Sequence, residues 1–358
     1  MKIQQLALYH FKNHAQLKLE FDADITCITG KNGQGKTNVL DAIYMLSTCK
    51  SYFNAYDYQL IQHGETIAAI NAQFEAVHQI DLQLHLEANK KKKLKKNDKL
   101  YDKLIDHIGL VNVVMITPND IELVVGHSEE RRRFLDICIS QVDRVYLNTL
   151  SEYNKVLDQR NAQLKLFAKH RHFDPIMLDV YDQKLIPAAN YIHQKRQEVI
   201  ILLNDYFKTY YGLFSSGIEL MQMDYISDLN DTNYETLLKQ TTDKDLILER
   251  TSVGVHKDDL LFQIDSNALK KFGSQGQSKA FVIALKLAQY QFLKNQMQAQ
   301  PILLLDDLFE KIDEERAQRL IDLLQSDDFG QILITDTHSE RVKKHFENGA
   351  KTIKFVSL

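Results

Sequence analysis

The sequence predicts an α/β fold in which a domain built on strands is interrupted by a helical lobe, and three stretches carry that expectation. Near the amino terminus a buried-strand pattern, ITCITG, runs directly into a glycine-rich loop and then a helical pattern. From about Ser128 to Leu213 the texture changes to long helix-forming runs. Near the carboxyl terminus the apolar strand pattern PILLLDD closes on two acids.

In order along the chain, IQQLALYHF, AQLKLEF and ITCITG alternate strand signals with turns. VLDAIYML, from Val39 to Leu46, is helical, so the glycine loop lies between a buried strand and a helix. Residues 66–88 alternate again and suggest one or two antiparallel strands. The lysine run from Lys90 to Lys96, broken only by Leu94, reads as a hairpin tip or strand edge. Val111 to Ile116 is apolar and leads to the turn Thr117-Pro118-Asn119-Asp120. Within the helical stretch, Leu147, Leu150, Tyr153, Leu157 and Leu164 recur at three- and four-residue steps. Pro175 is expected to open a second long helix, and Pro187 to kink or divide it. The stretch is too short and irregular for long coiled-coil arms. After Asp258 the strand-like LLFQI returns, followed by SQGQ, a helix through Leu293, and the acidic strand. The expected division is 1–120 with 246–358 for the α/β domain, and 121–245 for the lobe.

Composition narrows the class without naming it. A chain of 358 residues, 44% apolar and 26% charged, is an ordinary soluble globular protein. No apolar run approaches the roughly 20 residues that span a bilayer. The amino terminus alternates and has no apolar core of the signal-peptide kind, so a cytoplasmic protein without a membrane partner is expected. Cys27, Cys49 and Cys138 lie far apart without metal-ligand spacing and read as reduced core thiols. A net charge of −4 means that any nucleic-acid surface must be a local basic patch.

The chemistry concentrates in two motifs. Gly30-Lys31-Asn32-Gly33-Gln34-Gly35-Lys36-Thr37 fits the phosphate-loop pattern G-x-x-x-x-G-K-[ST] completely, between a strand and a helix. Glycines let backbone N–H groups turn inward around a phosphate, and the helix amino terminus adds a favourable dipole. Lys36 would meet the β- and γ-phosphates of ATP, the Thr37 hydroxyl would coordinate Mg2+, and Asn38 continues the nucleotide-binding stretch. Far along the chain, Leu303-Leu304-Leu305-Asp306-Asp307 places Asp306 to hold the metal and Asp307 to orient or deprotonate the attacking water. The wide separation of the motifs argues against compact nucleoside kinases and small GTPases, and no N-K-x-D sequence reads guanine. Upstream of the acidic strand, Ser274-Gln275-Gly276-Gln277 opens a helix; a serine, a glycine N–H and a helix amino terminus suit an anion, while Ser274 would serve equally as an N-cap.

Taken together, FKNH (Phe11 to His14), GKNGQGKTNVLDAIY (Gly30 to Tyr44), RRRFLD (Arg131 to Asp136), YNKVLDQRN (Tyr153 to Asn161), RTSVGVHKDDL (Arg250 to Leu260), SQGQSKA and ILLLDDLFEKID (Ile302 to Asp313) resemble the RecF family of recombination mediators. The resemblance extends over most of the chain and implies an ATP-binding cassette head like those of SMC proteins, with an inserted helical lobe and no long coiled coil. It implies a slow, DNA-stimulated ATPase that forms a homodimer on MgATP and binds double-stranded and gapped DNA near single-strand/double-strand junctions. There it would act with RecO and RecR to help load recombinase. In such heads Ser274 and Gly276 would cap the γ-phosphate held by the partner protomer, and Asp313 would be the acid reaching across the dimer. Lys12 and Asn13 sit where related heads contact nucleotide, or belong to an exposed loop. Thr335 falls in the region of the switch residue, and His338 is not assigned to that role.

For DNA, Lys91, Lys92, Lys93 and Lys95 are the densest basic candidates, or else keep a strand edge soluble. Arg131, Arg132 and Arg133 could line a DNA path, or mark a solvated helix start. Three departures from the pattern stand out: Asp307 where most cassettes have Glu, Ile312 where Leu is usual, and Phe53 where many relatives have arginine. The Asp–Asp pair is shared by RecF proteins, and no Q-loop glutamine is evident. Two other classes compete: a transporter cassette, disfavoured by SQGQ and the GxHxDD element, and a DNA clamp in which ATP only dimerises the chain.

Overall fold

Apolar alternation in Lys2–Phe11 puts Ile3, Leu6, Leu8 and Phe11 on one buried face, and the slip in spacing between Ile3 and Leu6 coincides with a register shift between Ile3 and Gln5. The computed structural model describes residues 1–214, 219–310, 313–337, 342–343, 346 and 350–358, the side chain of Glu310 excepted. Lys2–Phe11 pairs with His14–Glu20 on one side and Ile67–Glu75 on the other; Ile80–Glu87, Lys93–Lys96 and Lys99–Leu100 complete a six-stranded antiparallel sheet. Strict alternation in Ile80–Glu87 marks a sheet with one face in the core.

A second sheet is parallel, in the order Ile353–Ser357, Ile25–Thr29, Ile332–Asp336, Ile302–Asp306, Val113–Ile116. Its three central strands and Val113–Ile116 are buried at every residue, as strands covered on both faces must be. The helix Lys36–Thr48 buries Val39, Leu40, Ile43, Met45 and Leu46 in the same core as the apolar face of the antiparallel sheet and Val113, Met115, Ile302, Leu304 and Leu333 of the parallel one. That packing holds the loop before the helix at the carboxyl ends of parallel strands, where α/β sheets bind ligands.

The chain divides into two compact units. One comprises residues 1–120, 210–216 and 279–358; the other comprises 121–209 and 217–278. Residues 246–278 therefore fall with the lobe, later in sequence than the expected return at 246. The reason is strand pairing: Asp259–Ile264 hydrogen-bonds to Met221–Ile226 and Asn267–Ala268 in a three-stranded antiparallel sheet belonging to the lobe. The helix Pro175–Phe214 runs for 40 residues with Pro187 inside it, so the proline does not divide it. Proline removes one backbone donor, and apolar packing along the helix (Leu185, Ala189, Ile192) outweighs that loss.

The family-like segments of the lobe meet in its interior. Arg196, 2% exposed, donates to the Asp136 and Asp258 carboxylates and to the Val255 carbonyl, and Arg160, fully buried, to Asp182, Asp245 and Thr251. Among the described residues no helix is long and apolar enough to cross a membrane. Cys27, Cys49 and Cys138 are buried and in the reduced form, and burial pushes Cys27 up to about 12 and Cys49 to about 11, which leaves those two inert at neutral pH.

Candidate nucleotide-binding site

The loop between Ile25–Thr29 and Lys36–Thr48 takes a shape that its glycines permit. Gly33 and Gly35 have φ of 84° and 94°, in the left-handed region, and a Cβ on Gly35 would collide with the side chains of Asn13 and His14. Those two side chains also tie the loop down: Asn13 Nδ2 donates to the Gly33 carbonyl at 3.1 Å, Asn38 Nδ2 donates to Asn13 Oδ1 at 2.7 Å, and His14 Nε2 is 3.1 Å from the Gly35 carbonyl. Lys31, Asn32, Gly33 and Gln34 are exposed, whereas Lys36 is 5% exposed. The Lys36 ammonium folds over the loop to the carbonyls of Gly30 and Lys31, at 2.9 and 3.2 Å. A lysine so held sits at the loop's mouth, ready to exchange carbonyl oxygens for phosphate oxygens.

Thr37 and Asp306, 269 residues apart in sequence, meet: Thr37 Oγ1 donates to Asp306 Oδ1 at 2.8 Å, and Thr335 Oγ1 donates to the same oxygen at 2.7 Å. Burial raises the Asp306 pKa above the usual carboxylate range, although the Thr335 and Thr37 hydroxyls and the Lys36 ammonium pull against it. A buried carboxylate beside a threonine hydroxyl fits a small hard cation, which needs oxygen ligands and takes others from phosphates and water. Among the described residues no group of three or more His, Cys, Asp or Glu side chains could hold a metal. Asp307 follows with φ of 42°, and its N–H donates to the Thr335 carbonyl at 3.2 Å and to the Thr335 hydroxyl at 3.1 Å. Thr335 thus holds the Asp306 carboxylate and the Asp307 backbone.

Lys12 is held differently from Asn13. Its ammonium pairs with the fully buried Asp41 at 2.6 Å and lies 5.5 Å from the Phe53 ring centre. Asp41 also accepts from the Ser51 hydroxyl and the Tyr52 N–H, both at 2.7 Å. Phe53 therefore stands beside a lysine already present, and the charge at this place belongs to Lys12. Lys12 and Asn13 line a cavity of about 730 Å³ with Tyr58, Ile61, Gln62 and His63, residues that no sequence motif singles out. The segment holds the short 3-10 turn Asp57–Leu60, and the β-bridge between Phe11 and Ile61, with the Lys12 N–H donating to the Leu60 carbonyl at 2.8 Å, brings it beside Lys12.

The other expected residues lie elsewhere or hold other partners. Ser274 caps Gln275–Met297 as one half of a capping box: its hydroxyl accepts from the Gln277 N–H, and the Gln277 side chain accepts from the Ser274 N–H. Ser274 and Gly276 belong to the second unit, and Ser274 is exposed. Asp313 caps Glu314–Leu324 by accepting from the Arg316 N–H at 2.9 Å, and remains exposed. Lys91 and Lys93 are exposed and Lys95 half-buried on the hairpin, but Lys92 is drawn into an ion pair with Asp57 at 2.8 Å.

Of the three arginines expected near DNA, Arg131 forks onto the Asp259 carboxylate and is 9% exposed, Arg132 is half-buried and donates to the Asp258 carbonyl, and Arg133 is exposed. Lys311, Ile312 and His338 lie outside the described residues.

Comparison with known proteins agrees with this geometry. The family model described as RecF/RecN/SMC N terminal domain matches residues 2–356. A DNA replication and repair protein RecF of Flavobacterium johnsoniae is 44% identical over all of both chains. Its counterpart in Cytophaga hutchinsonii is 41% identical over all of this chain and 95% of that one. A solved structure described as the recombination mediator protein RecF-ATP in the RecFOR pathway superposes with a TM-score of 0.87 at 27% identity, covering 94% of this chain and 92% of that one. The Smc head domain from Pyrococcus furiosus, at 15% identity and a TM-score of 0.57 over 99% of this chain and 93% of that one, shares the fold.

Proposed function

The chain belongs to the RecF family of DNA replication and repair proteins, and from that premise we propose that it is a slow, DNA-stimulated ATPase that dimerises on MgATP and binds gapped DNA. The observation that carries the ATPase reading is the Thr37–Asp306 hydrogen bond, which joins the phosphate loop to the acidic strand. Backbone N–H groups of the loop and of the first helical turn would hold the phosphates of ATP, with Lys36 answering their charge. Thr37 and Asp306 would hold Mg2+, which neutralises charge developing on the transferred phosphoryl group. Asp307, oriented by Thr335, would align the attacking water and accept its proton. Lys12, Asn13 and the cavity beside them suit the nucleoside end.

The exposed Ser274 and the helix amino terminus at Gln275 present donors that a phosphate held by a second copy could use, with Gly276 and Asp313 contributing to the same interface. Family membership supports DNA as the partner, together with RecO and RecR, and supports a part in loading recombinase at gaps in a cytoplasmic setting. Basic charge for this role is available at Lys91, Lys93, Lys95 and Arg133.

Asp307→Asn tests the reading. The variant should bind MgATP as tightly as the wild type, hydrolyse it about 10²-fold or more slowly, and accumulate as a dimer in light scattering with MgATP and gapped duplex. Unchanged turnover would show that another group positions the water. A wild type whose turnover ignores DNA would instead favour a clamp in which ATP only dimerises the chain.

A further inference from the structure

The 3-10 turn Asp57–Leu60 and the residue before it place two tyrosines at the surface, one on each side of an ion pair. Tyr56 is 61% exposed and Tyr58 63%, although the two rings stack, with centres 5.7 Å apart and planes 21° from parallel. Each ring shields one face of the other, so aromatic surface that burial would favour is left in water. Tyr58 lines the cavity beside Lys12, and Tyr56 stands outside that lining. The backbone beneath the rings is fixed. The Tyr56 carbonyl accepts from the Gln59 N–H at 3.1 Å, and the Tyr58 carbonyl accepts from the Ile61 N–H at 3.3 Å. Between the tyrosines, Asp57 holds Lys92 Nζ at 2.8 Å, which fastens the turn to the hairpin joining Ile80–Glu87 to Lys93–Lys96. That hairpin end carries Lys90, Lys91, Lys92 and Lys93. Glu87 pairs with Lys90 and Asp57 with Lys92, and the exposed Lys91 and Lys93 leave net positive charge beside the rings.

We propose that an unpaired base of bound DNA stacks on Tyr56, with Lys91 and Lys93 meeting the phosphates on either side of it. The inference rests on the DNA-binding reading above and adds to it the group that tells a gap from continuous duplex. Exposed aromatic faces beside a surplus of cations match the two surfaces of a single strand, a flat base and an anionic backbone. A continuous duplex would answer the lysines and leave the tyrosines uncovered, because its base faces are stacked inside it. An apolar protein surface would cover the rings and desolvate the lysines without giving them a partner. Every base has a face that can stack, so the contact is expected to be indifferent to sequence.

The experiment titrates the full chain, with MgATP, by fluorescence anisotropy against two end-labelled DNAs of equal length, a gapped duplex and a continuous one. Tyr56→Ala should weaken binding to the gapped duplex by about tenfold or more and leave the continuous duplex within about twofold of the wild type. Tyr56→Phe, which keeps the ring, should restore the gapped affinity. The salt slope of Tyr56→Ala should equal the wild type's, since no phosphate contact is removed. Circular dichroism reports folding, and light scattering with MgATP alone reports dimerisation. Gapped binding by Tyr56→Ala as tight as the wild type's, or an equal loss on both DNAs, would overturn the stacking proposal and leave the DNA reading in place. Loss of the dimer in Tyr56→Ala without DNA would also overturn it, and would assign the tyrosines to contact with a second copy. A wild type that binds neither DNA would sink the DNA reading itself, and this proposal with it.

Discussion

Asp306 shows how one residue can oppose stability and serve chemistry. Its carboxylate is buried with two threonine hydroxyls on one oxygen, and burial still raises its pKa. A carboxyl whose folded pKa lies above its unfolded value is easier to ionise in the unfolded chain. Folding is therefore penalised as pH rises past the unfolded value, and fully so above the folded one. Asp306→Asn keeps the oxygen that accepts from Thr37 and Thr335 and removes the buried charge. Without nucleotide, the variant should be more stable than the wild type, with a higher Tm. MgATP, which should raise the wild-type Tm by binding only the folded state, should no longer do so. Thermal melts with and without MgATP decide it: a less stable variant, or one still shifted by MgATP, would refute the account.

Elements explain why the lobe needs its histidine neutral. The 3-10 turn Val255–Lys257 carries His256 into the interior, where Nε2–H donates to the Thr251 carbonyl and Nδ1 accepts from the Tyr153 hydroxyl of the helix Arg144–His170. Burial, outweighing the Thr251 bond and helped by nearby cations, lowers His256 to about 4. The sign follows directly. Between about 4 and the ordinary value near 6.5 the unfolded chain binds the proton and the folded chain does not. Stability is thus complete above that ordinary value and falls with pH through this window, by about 2 kcal/mol at pH 5. Urea unfolding followed by tyrosine fluorescence, in a chain with no tryptophan, should show this fall, and His256→Gln should flatten it. Equal pH dependence in both proteins would place the acid sensitivity elsewhere. A second buried link ties elements of the first unit: Lys286, on the helix Gln275–Met297, pairs with Asp120 at 2.9 Å and donates to the Tyr52 hydroxyl at 2.9 Å.

At the scale of the whole molecule, charge and self-association dominate. A body of net charge −4 repels a polyanion except where cations are concentrated. Lys91, Lys93 and Lys95 form such a concentration, with Lys92 excluded by its bond to Asp57. Changing the three to Ala should weaken binding to all DNA sequences alike. Each phosphate that is no longer neutralised should reduce the slope of log affinity against log salt by about 0.9. A slope equal to the wild type's would confine these lysines to keeping a strand edge soluble. Dimerisation has its own test. Ser274→Arg sets a bulky cation at the exposed start of a 23-residue helix, where a partner's phosphate would have to approach closely. Light scattering should then find ATP-bound monomers, whereas a dimer of normal strength would leave SQGQ as a capping box alone.

The sequence by itself determined the order of elements around the phosphate loop, because strand, glycine turn and helix are local patterns with local physical causes. It also placed the acids Asp306 and Asp307 at a strand end, since the apolar run before them can only be buried. What it left undecided depended on contacts between distant segments. That residues 246–278 pack with the lobe follows from the pairing of Asp259–Ile264 with Met221–Ile226, and no local pattern states a pairing partner. Arg131 and Arg132 read as surface charge because their partners, at Asp259 and Asp258, lie more than a hundred residues away. The cavity residues Tyr58 to His63 sit on the end of a single 3-10 turn and the chain after it, too short for any periodicity to show. Their side chains converge only once the sheet brings their ends together, and that convergence belongs to the tertiary structure.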